Sequence, residues 1–162
     1  MKAIIIDIDG VCFDCTDRLN RCRKDGEIDW KQAFCNSEVI RDPVFPNAAA
    51  KVRLIAELFP DVRIVYMTGR SDVCRLATRA ALKTHNFPEW SSLYMRSHID
   101  YRPDTEVKAG LIDELRNGIA QLTFVAAIDD NYDGKLSIMY ESMGIDWFIS
   151  LDSYLVEVGL ER

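Results

Sequence analysis

The sequence predicts an α/β fold, a parallel sheet of about five strands with helices on both faces. Three observations predict it. Short apolar runs recur along the chain, and segments of helical period separate them. The runs are continuous rather than alternating, the pattern of strands covered on both sides. Polar residues gather where the runs end, at Asp7 and Asp9, at Thr68-Gly69-Arg70 and at Asp129-Asp130-Asn131. In open sheets of this Rossmann-like kind, ligands bind beyond the carboxyl ends of the strands. The 162 residues, 48% hydrophobic and 28% charged, are enough for one domain over 1–162 with a sizeable core.

Residues 3–8 read as the first strand, broken by Gly10. Residues 11–46 are polar and irregular, with a short helical pattern through Ala33, Phe34 and Val39, and read as a small lid inserted after that strand. Residues 47–59 carry Val52, Ile55, Ala56 and Phe59 at helical spacing and stop at Pro60. Val62 to Met67 reads as a second strand. Ser71 or Asp72 can cap the helix that follows to about His85. Leu93 to Met95 reads as a short third strand. Asp104 is placed to cap a helix with Val107, Leu111 and Leu115 on one stripe. Leu122 to Ile128 reads as a strand, Asp133 to Met143 as a helix and Ile145 to Ile149 as the last strand.

Composition excludes several classes. No run approaches the ~20 apolar residues that cross a bilayer, and a strand begins almost at once, leaving no room for a signal peptide. A cytoplasmic protein without a membrane partner is expected. The net charge of −6 disfavours long nucleic acid. Five cysteines, Cys12, Cys15, Cys22, Cys35 and Cys74, read as reduced, buried thiols. They lack the second close pair that zinc sites usually show. His85 and His98 read as surface or loop residues, and Trp30, Trp90 and Trp147 as packing residues.

The acids carry the chemistry. A strand puts residues i and i+2 on one face, so Asp7 and Asp9 are expected to project together beyond the sheet's edge. Like charges that close call for a cation. Each neighbouring residue has a task in phosphoryl transfer. Asp7 is the candidate nucleophile, and Asp9 the acid that protonates the leaving oxygen and then activates water. Thr68 and the Gly69 amide would bind phosphoryl oxygens, and Lys108 would neutralise them. Asp7, Asp129 and the Asp9 carbonyl would hold magnesium, with Asp130 ligating through water or orienting Lys108. Singly, Thr68-Gly69 is an ordinary turn and Lys108 a solvated helix lysine; the set is the signal.

Asp7-x-Asp9-Gly10-Val11, Thr68-Gly69-Arg70, Lys108 and Asp129-Asp130, in that order, resemble the four motifs of the haloacid dehalogenase superfamily of phosphatases. The resemblance spans residue 3 to about 150 and implies Mg2+, a phosphate-monoester substrate and the roles above. Arg96, Asp100, Arg102, Asp104 and Lys108, followed by Ile128-Asp129-Asp130, further resemble the phosphatase half of phage polynucleotide kinase and its stand-alone relatives. That group removes 3′-phosphates from nucleic-acid ends or nucleotides. By this resemblance Arg18, Arg70, Arg96 and Arg102 lie on the substrate side, where their forked donors suit phosphate. The absence of G-x-x-x-x-G-K-[ST] excludes the kinase activity of the two-domain enzyme. The alternatives are the same machinery aimed at a 5′-nucleotide, sugar phosphate or phosphoprotein, and a non-catalytic phosphoacceptor module.

Overall fold

The computed structural model describes residues 1–132 and 134–159. Its elements are β1 (Lys2–Ile6), α1 (Thr16–Arg21), β2 (Arg23–Lys24), β3 (Glu27–Ile28), α2 (Trp30–Ala33), α3 (Asn36–Val39), α4 (Ala48–Leu58), β4 (Val62–Ser71), α5 (Arg75–Thr84), β5 (Leu93–Arg96), α6 (Asp104–Gly118), β6 (Thr123–Ile128), α7 (Leu136–Ser142), β7 (Asp146–Phe148) and α8 (Leu151–Glu157). The main sheet runs β5-β4-β1-β6-β7, and every pair in it is parallel. The α/β reading and the five strands are therefore as expected.

The pleat of β1 divides the core in two. Ile4, Ile6 and Ile8 pack with Val52, Ile55, Leu82 and Leu155, under α4, α5 and α8. Ala3 and Ile5 face the other way, towards Ile112, Leu115 and Tyr140 on α6 and α7. Helices thus cover both faces, and the strands that bear the polar tips, β4, β1 and β6, are neighbours at the centre.

Several boundaries differ from the expectation. The 11–46 segment holds more order than its period suggests: α1, the antiparallel β2–β3 pair, α2 and α3. β4 does not stop at Met67; it continues to Ser71, which pairs with Arg96 of β5 after a register shift. A single 3-10 turn, Asp72–Cys74, precedes α5, with Ser71 Oγ accepting from the Val73 N–H. Pro103, not Asp104, holds the cap position of α6, because the Asp104 carboxylate is taken by Arg96 and Lys108. The expected 133–143 helix is realised as Leu136–Ser142; Asp133 lies outside the described residues. α8 was not foreseen. Ser150 and Ser153 cap it reciprocally, and it buries Leu151, Tyr154 and Leu155.

Among the described residues no helix is long and apolar enough to cross a membrane. The cysteines are free, and none joins a set of three metal-ligating side chains there.

Candidate active site

Three central strands deliver their tips to the floor of one cleft of about 810 Å³, lined by Asp7, Asp9, Thr68, Gly69, Arg70, Lys108 and Asp130. Its walls come from connections: Cys15, Leu19, Trp30, Lys31 and Phe34 of the insert face Ser97 to Asp104 and Tyr132 across it. All four predicted motifs meet here, although 122 residues separate Asp7 from Asp129.

Asp7 keeps the parity of Ala3 and Ile5 and so points to the α6 side. Its backbone N–H donates to the Ile128 carbonyl at 2.9 Å, joining the tip of β1 to β6. Lys108, itself 1% exposed, lies between three acids. Its Nζ is 2.7 Å from Asp129 Oδ2, 3.2 Å from Asp7 Oδ1 and 3.2 Å from Asp104 Oδ2. Burial alone would pull the ammonium down, but Asp129, Asp7, Tyr140 and Asp104 outweigh it and hold Lys108 protonated. Tyr140 donates its hydroxyl to Asp129 Oδ2 at 2.9 Å, and the Trp147 indole N–H donates to the Asp129 carbonyl at 2.9 Å. Asp129 is thereby fixed from two sides.

Carboxylate oxygens of Asp7, Asp129 and Asp130 lie within 4.8 Å of one another. Three acids against the one ammonium leave a formal charge of −2. Asp7 Oδ1 is buried and, despite the nearby Nζ, no donor among the described residues is aligned on it. Burial lifts the Asp7 carboxyl well above its usual range; Lys108 opposes this, and Asp129, Asp104 and Asp9 reinforce it. Burial and Asp129 also push Asp130 up to about 6. An all-oxygen set with surplus negative charge and an orphaned carboxylate oxygen fits a hard divalent cation.

Two glycines make the approach possible. Gly10 sits at φ +82, and a Cβ there would meet Asp130 Oδ2 at 2.0 Å. A Cβ on Gly69 would meet Asp104 Oδ1 at 2.3 Å. Thr68 is buried beside it, its Oγ1 accepting from the Arg70 N–H at 3.2 Å.

Asp9 does not share a partner with Asp7, because the strand ends at Ile6 and the backbone has begun to turn. Its Oδ1 accepts from Arg18 Nη2 at 2.8 Å and from Arg70 Nε at 3.0 Å, and also contacts Arg70 Nη2. Burial favours the neutral acid, yet Arg70 and Arg18 outweigh it and hold Asp9 below the ordinary carboxylate range. Both arginines are buried with donors engaged on acids; Arg70 also lines the cleft, and Arg18 does not. Asp42 completes the cluster. It accepts from Arg18 Nε at 3.1 Å and from Arg70 Nη2 at 2.8 Å, while Arg18 Nη1 donates to the Ala33 carbonyl at 3.0 Å. Burial lifts Asp42 to about 6 in spite of the two arginines. Above that pH two acids and two guanidinium groups cancel.

Arg96 also spends its donors internally. It donates to the Gly69 carbonyl at 3.0 Å, the Arg102 carbonyl at 2.6 Å and Asp104 Oδ1 at 3.1 Å, tying the β5–α6 connection to β4. Arg102 is exposed at the cleft and pairs with Asp100 at 2.6 Å. His98, expected as a surface or loop residue, is an exposed loop residue that also lines the cleft, with Nδ1 3.1 Å from Asp72 Oδ1. Trp30, expected to pack, is 52% exposed at the same rim. Asp42 and Tyr140 escaped sequence reasoning. Asp42 lies in an aperiodic stretch, and nothing local marks Tyr140.

Residues 1–148 match the family described as polynucleotide kinase PNKP phosphatase domain. Among solved structures the chain is similar to one in the Pnkp1/Rnl/Hen1 complex, with TM-score 0.67 and 19% identity. That match covers 91% of this chain and 45% of the other, so the chain spans less than half its length. A class C acid phosphatase from Bacillus anthracis with tungstate bound is similar with TM-score 0.61 and 16% identity, covering 92% and 65% of the two chains. The HAD domain of effector protein Lem4 from Legionella pneumophila is similar with TM-score 0.54 and 11% identity, covering 98% and 93%. No curated protein matches the sequence.

Proposed function

The chain belongs to the polynucleotide kinase PNKP phosphatase domain family, within the haloacid dehalogenase superfamily, and from that premise we propose that it is a magnesium-dependent phosphomonoesterase that removes 3′-phosphates from nucleic-acid ends or nucleotides. The observation that carries the reading is Asp7: a buried carboxylate with an unbonded oxygen, beside Lys108 and Thr68, on the floor of an open cleft.

Asp7 attacks phosphorus, and the resulting aspartyl-phosphate divides one difficult hydrolysis into two steps. Lys108 sits where charge spreads over the phosphoryl oxygens, and Thr68 with the Gly69 N–H offers further donors. Asp7, Asp129, Asp130 and the Asp9 carbonyl would hold Mg2+, which supplies charge that keeps Asp7 ionised and polarises the phosphate. As anchored, Asp9 is an ionised base. Protonating the leaving oxygen requires it to release Arg70, turn towards Asp7 and carry a proton; the return to Arg18 and Arg70 favours giving that proton up. Residues 11–46 act as a small lid, since the insert supplies one wall of the cleft. Arg102 is the exposed arginine of the cleft wall and faces substrate, whereas Arg18, Arg70 and Arg96 hold acids in place, the last two from positions that also line the cleft.

The test is a panel of a 3′-phosphorylated oligonucleotide, a 3′-nucleotide, a 5′-nucleotide and a sugar phosphate, with Mg2+ and with EDTA. Wild type should turn over the first two fastest, need Mg2+, and lose all turnover in Asp7→Asn. Preference for the sugar phosphate would redirect the substrate assignment. Retained turnover in Asp7→Asn would move the nucleophile elsewhere, and none in the wild type would leave a binding module.

A further inference from the structure

Three exposed aromatic rings stand on the rim of the cleft: Trp30 at 52%, Tyr101 at 90% and Tyr132 at 82% exposure. They come from three separate connections, the insert, the β5–α6 loop and the segment after β6. Exposed rings scattered singly need no explanation, but here all three border one cavity, the grouping that marks a binding surface. One face of Trp30 stacks on Phe34, with centroids 5.4 Å apart and planes 25° from parallel. The Phe34 ring in turn meets the Arg18 guanidinium at 5.6 Å. Trp30 is therefore held firm at the end of a stack rooted in the arginine that binds Asp9. The other tryptophans are engaged elsewhere: Arg79 and Lys83 lie 5.0 and 5.5 Å from the Trp90 ring, and Trp147 bonds to the Asp129 carbonyl.

We infer that Trp30 is the platform on which a nucleobase of the phosphorylated end stacks, a subsite that rests on the phosphatase reading above. The cleft, at about 810 Å³, is far larger than a phosphate group needs. Electrostatics supplies limited attraction for a polyanion: the chain carries −6 overall, and of the described cations lining the cleft, Arg70, Arg96, Arg102 and Lys108 are each paired with an acid, which leaves Lys31, beside Trp30, to meet phosphate. Stacking fills that gap without counter-ions, and it tolerates any base because every base has a π-face. Tyr101 and Tyr132 extend the same rim.

The experiment compares Trp30→Ala and Trp30→Phe with wild type on a 3′-phosphorylated single-stranded oligonucleotide and on β-glycerophosphate, which has no base. Trp30→Ala should lose about tenfold in kcat/KM on the oligonucleotide, mainly through KM, and stay within about twofold on β-glycerophosphate, with Trp30→Phe close to wild type on both. Equal losses on both substrates mean that Trp30 only props Phe34 and Arg18, and overturn the inference. No loss on either also overturns it. Wild type inert on both substrates defeats the phosphatase reading alone, and quenching of tryptophan fluorescence by the same oligonucleotide then decides. A quench present in wild type and missing in Trp30→Phe supports the platform; no quench, or an equal one in both, refutes it.

Discussion

Replacing Asp42 by alanine removes the buried carboxylate from a cluster whose charges cancel, and leaves two guanidinium groups facing the half-buried Asp9 alone. Asp42 is bonded to Arg18 at 3.1 Å and to Arg70 at 2.8 Å, all three side chains being at most 1% exposed. Deleting one member of a buried ion pair costs about 3–5 kcal/mol, chiefly because the partner's charge is stranded. With a urea slope of about 1–3 kcal/mol/M for a small domain, the unfolding midpoint should fall by roughly 1–5 M. The measurement belongs at a pH well above 6, where Asp42 is ionised. Arg18→Met in the Asp42→Ala background removes the surplus cation and leaves Asp9 with Arg70. The double variant should therefore lose less than the sum of the two single variants, by about 1–3 kcal/mol. A loss below about 1 kcal/mol for Asp42→Ala, or additivity within about 0.5 kcal/mol, would refute the balanced-cluster account.

Lys108→Met leaves Asp7, Asp104 and Asp129 without their shared ammonium. It should lower kcat by about 2–4 kcal/mol of transition-state stabilisation while tightening Mg2+ binding; steady-state kinetics with Mg2+ titration checks both, and weaker Mg2+ binding would contradict the charge count. Gly10→Ala drives a Cβ to 2.0 Å from Asp130 Oδ2 in a left-handed backbone. Asp130 must move, so Mg2+ affinity by calorimetry should drop by about tenfold; an unchanged affinity would remove Asp130 from the site. Metal binding should also depend on pH. Asp7 is raised and Asp130 lifted to about 6, so protons must leave before a cation enters. Apparent affinity should fall as pH drops below 6, by up to about tenfold per unit for each proton displaced. A flat profile between pH 5 and 7 would place the cation elsewhere.

The floor of the site was legible because it is written at strand ends. Apolar period finds β1, β4 and β6, and a parallel sheet brings their carboxyl ends together, so Asp7, Thr68, Asp129 and Asp130 could be assembled before any geometry. Lys108 was legible only as a member of that set. The partners of Asp9 were not. A strand's two-residue period predicts that Asp7 and Asp9 face one way, but it lapses once the strand ends at Ile6, and Asp9 meets Arg18 and Arg70 instead. Asp42 reaches its arginines 24 and 28 residues away from a segment with no period to place it. Arginine chemistry suggested phosphate for Arg18, Arg70 and Arg96 because forked donors suit carboxylates and phosphates alike. Their carboxylate partners, Asp9 and Asp42 for Arg18 and Arg70 and Asp104 for Arg96, are tertiary neighbours that a sequence does not print. The exposure of Trp30 is likewise a tertiary fact, set by where α2 docks.

The anchoring of Asp9 has a consequence for anyone who would redirect this domain to new substrates. The cleft wall made by residues 11–46 looks like an exchangeable module set on a fixed floor, and swapping it would be the obvious engineering route. Yet the same stretch carries Arg18 and Asp42, and its Ala33 carbonyl holds Arg18 in place. A transplanted segment that omits them would strand Asp9 with Arg70 and dismantle the proposed proton-handling group while leaving every strand-tip residue intact. Grafts must import both counter-charges, and chimaeras that fail for want of them would be mistaken for failures of substrate fit.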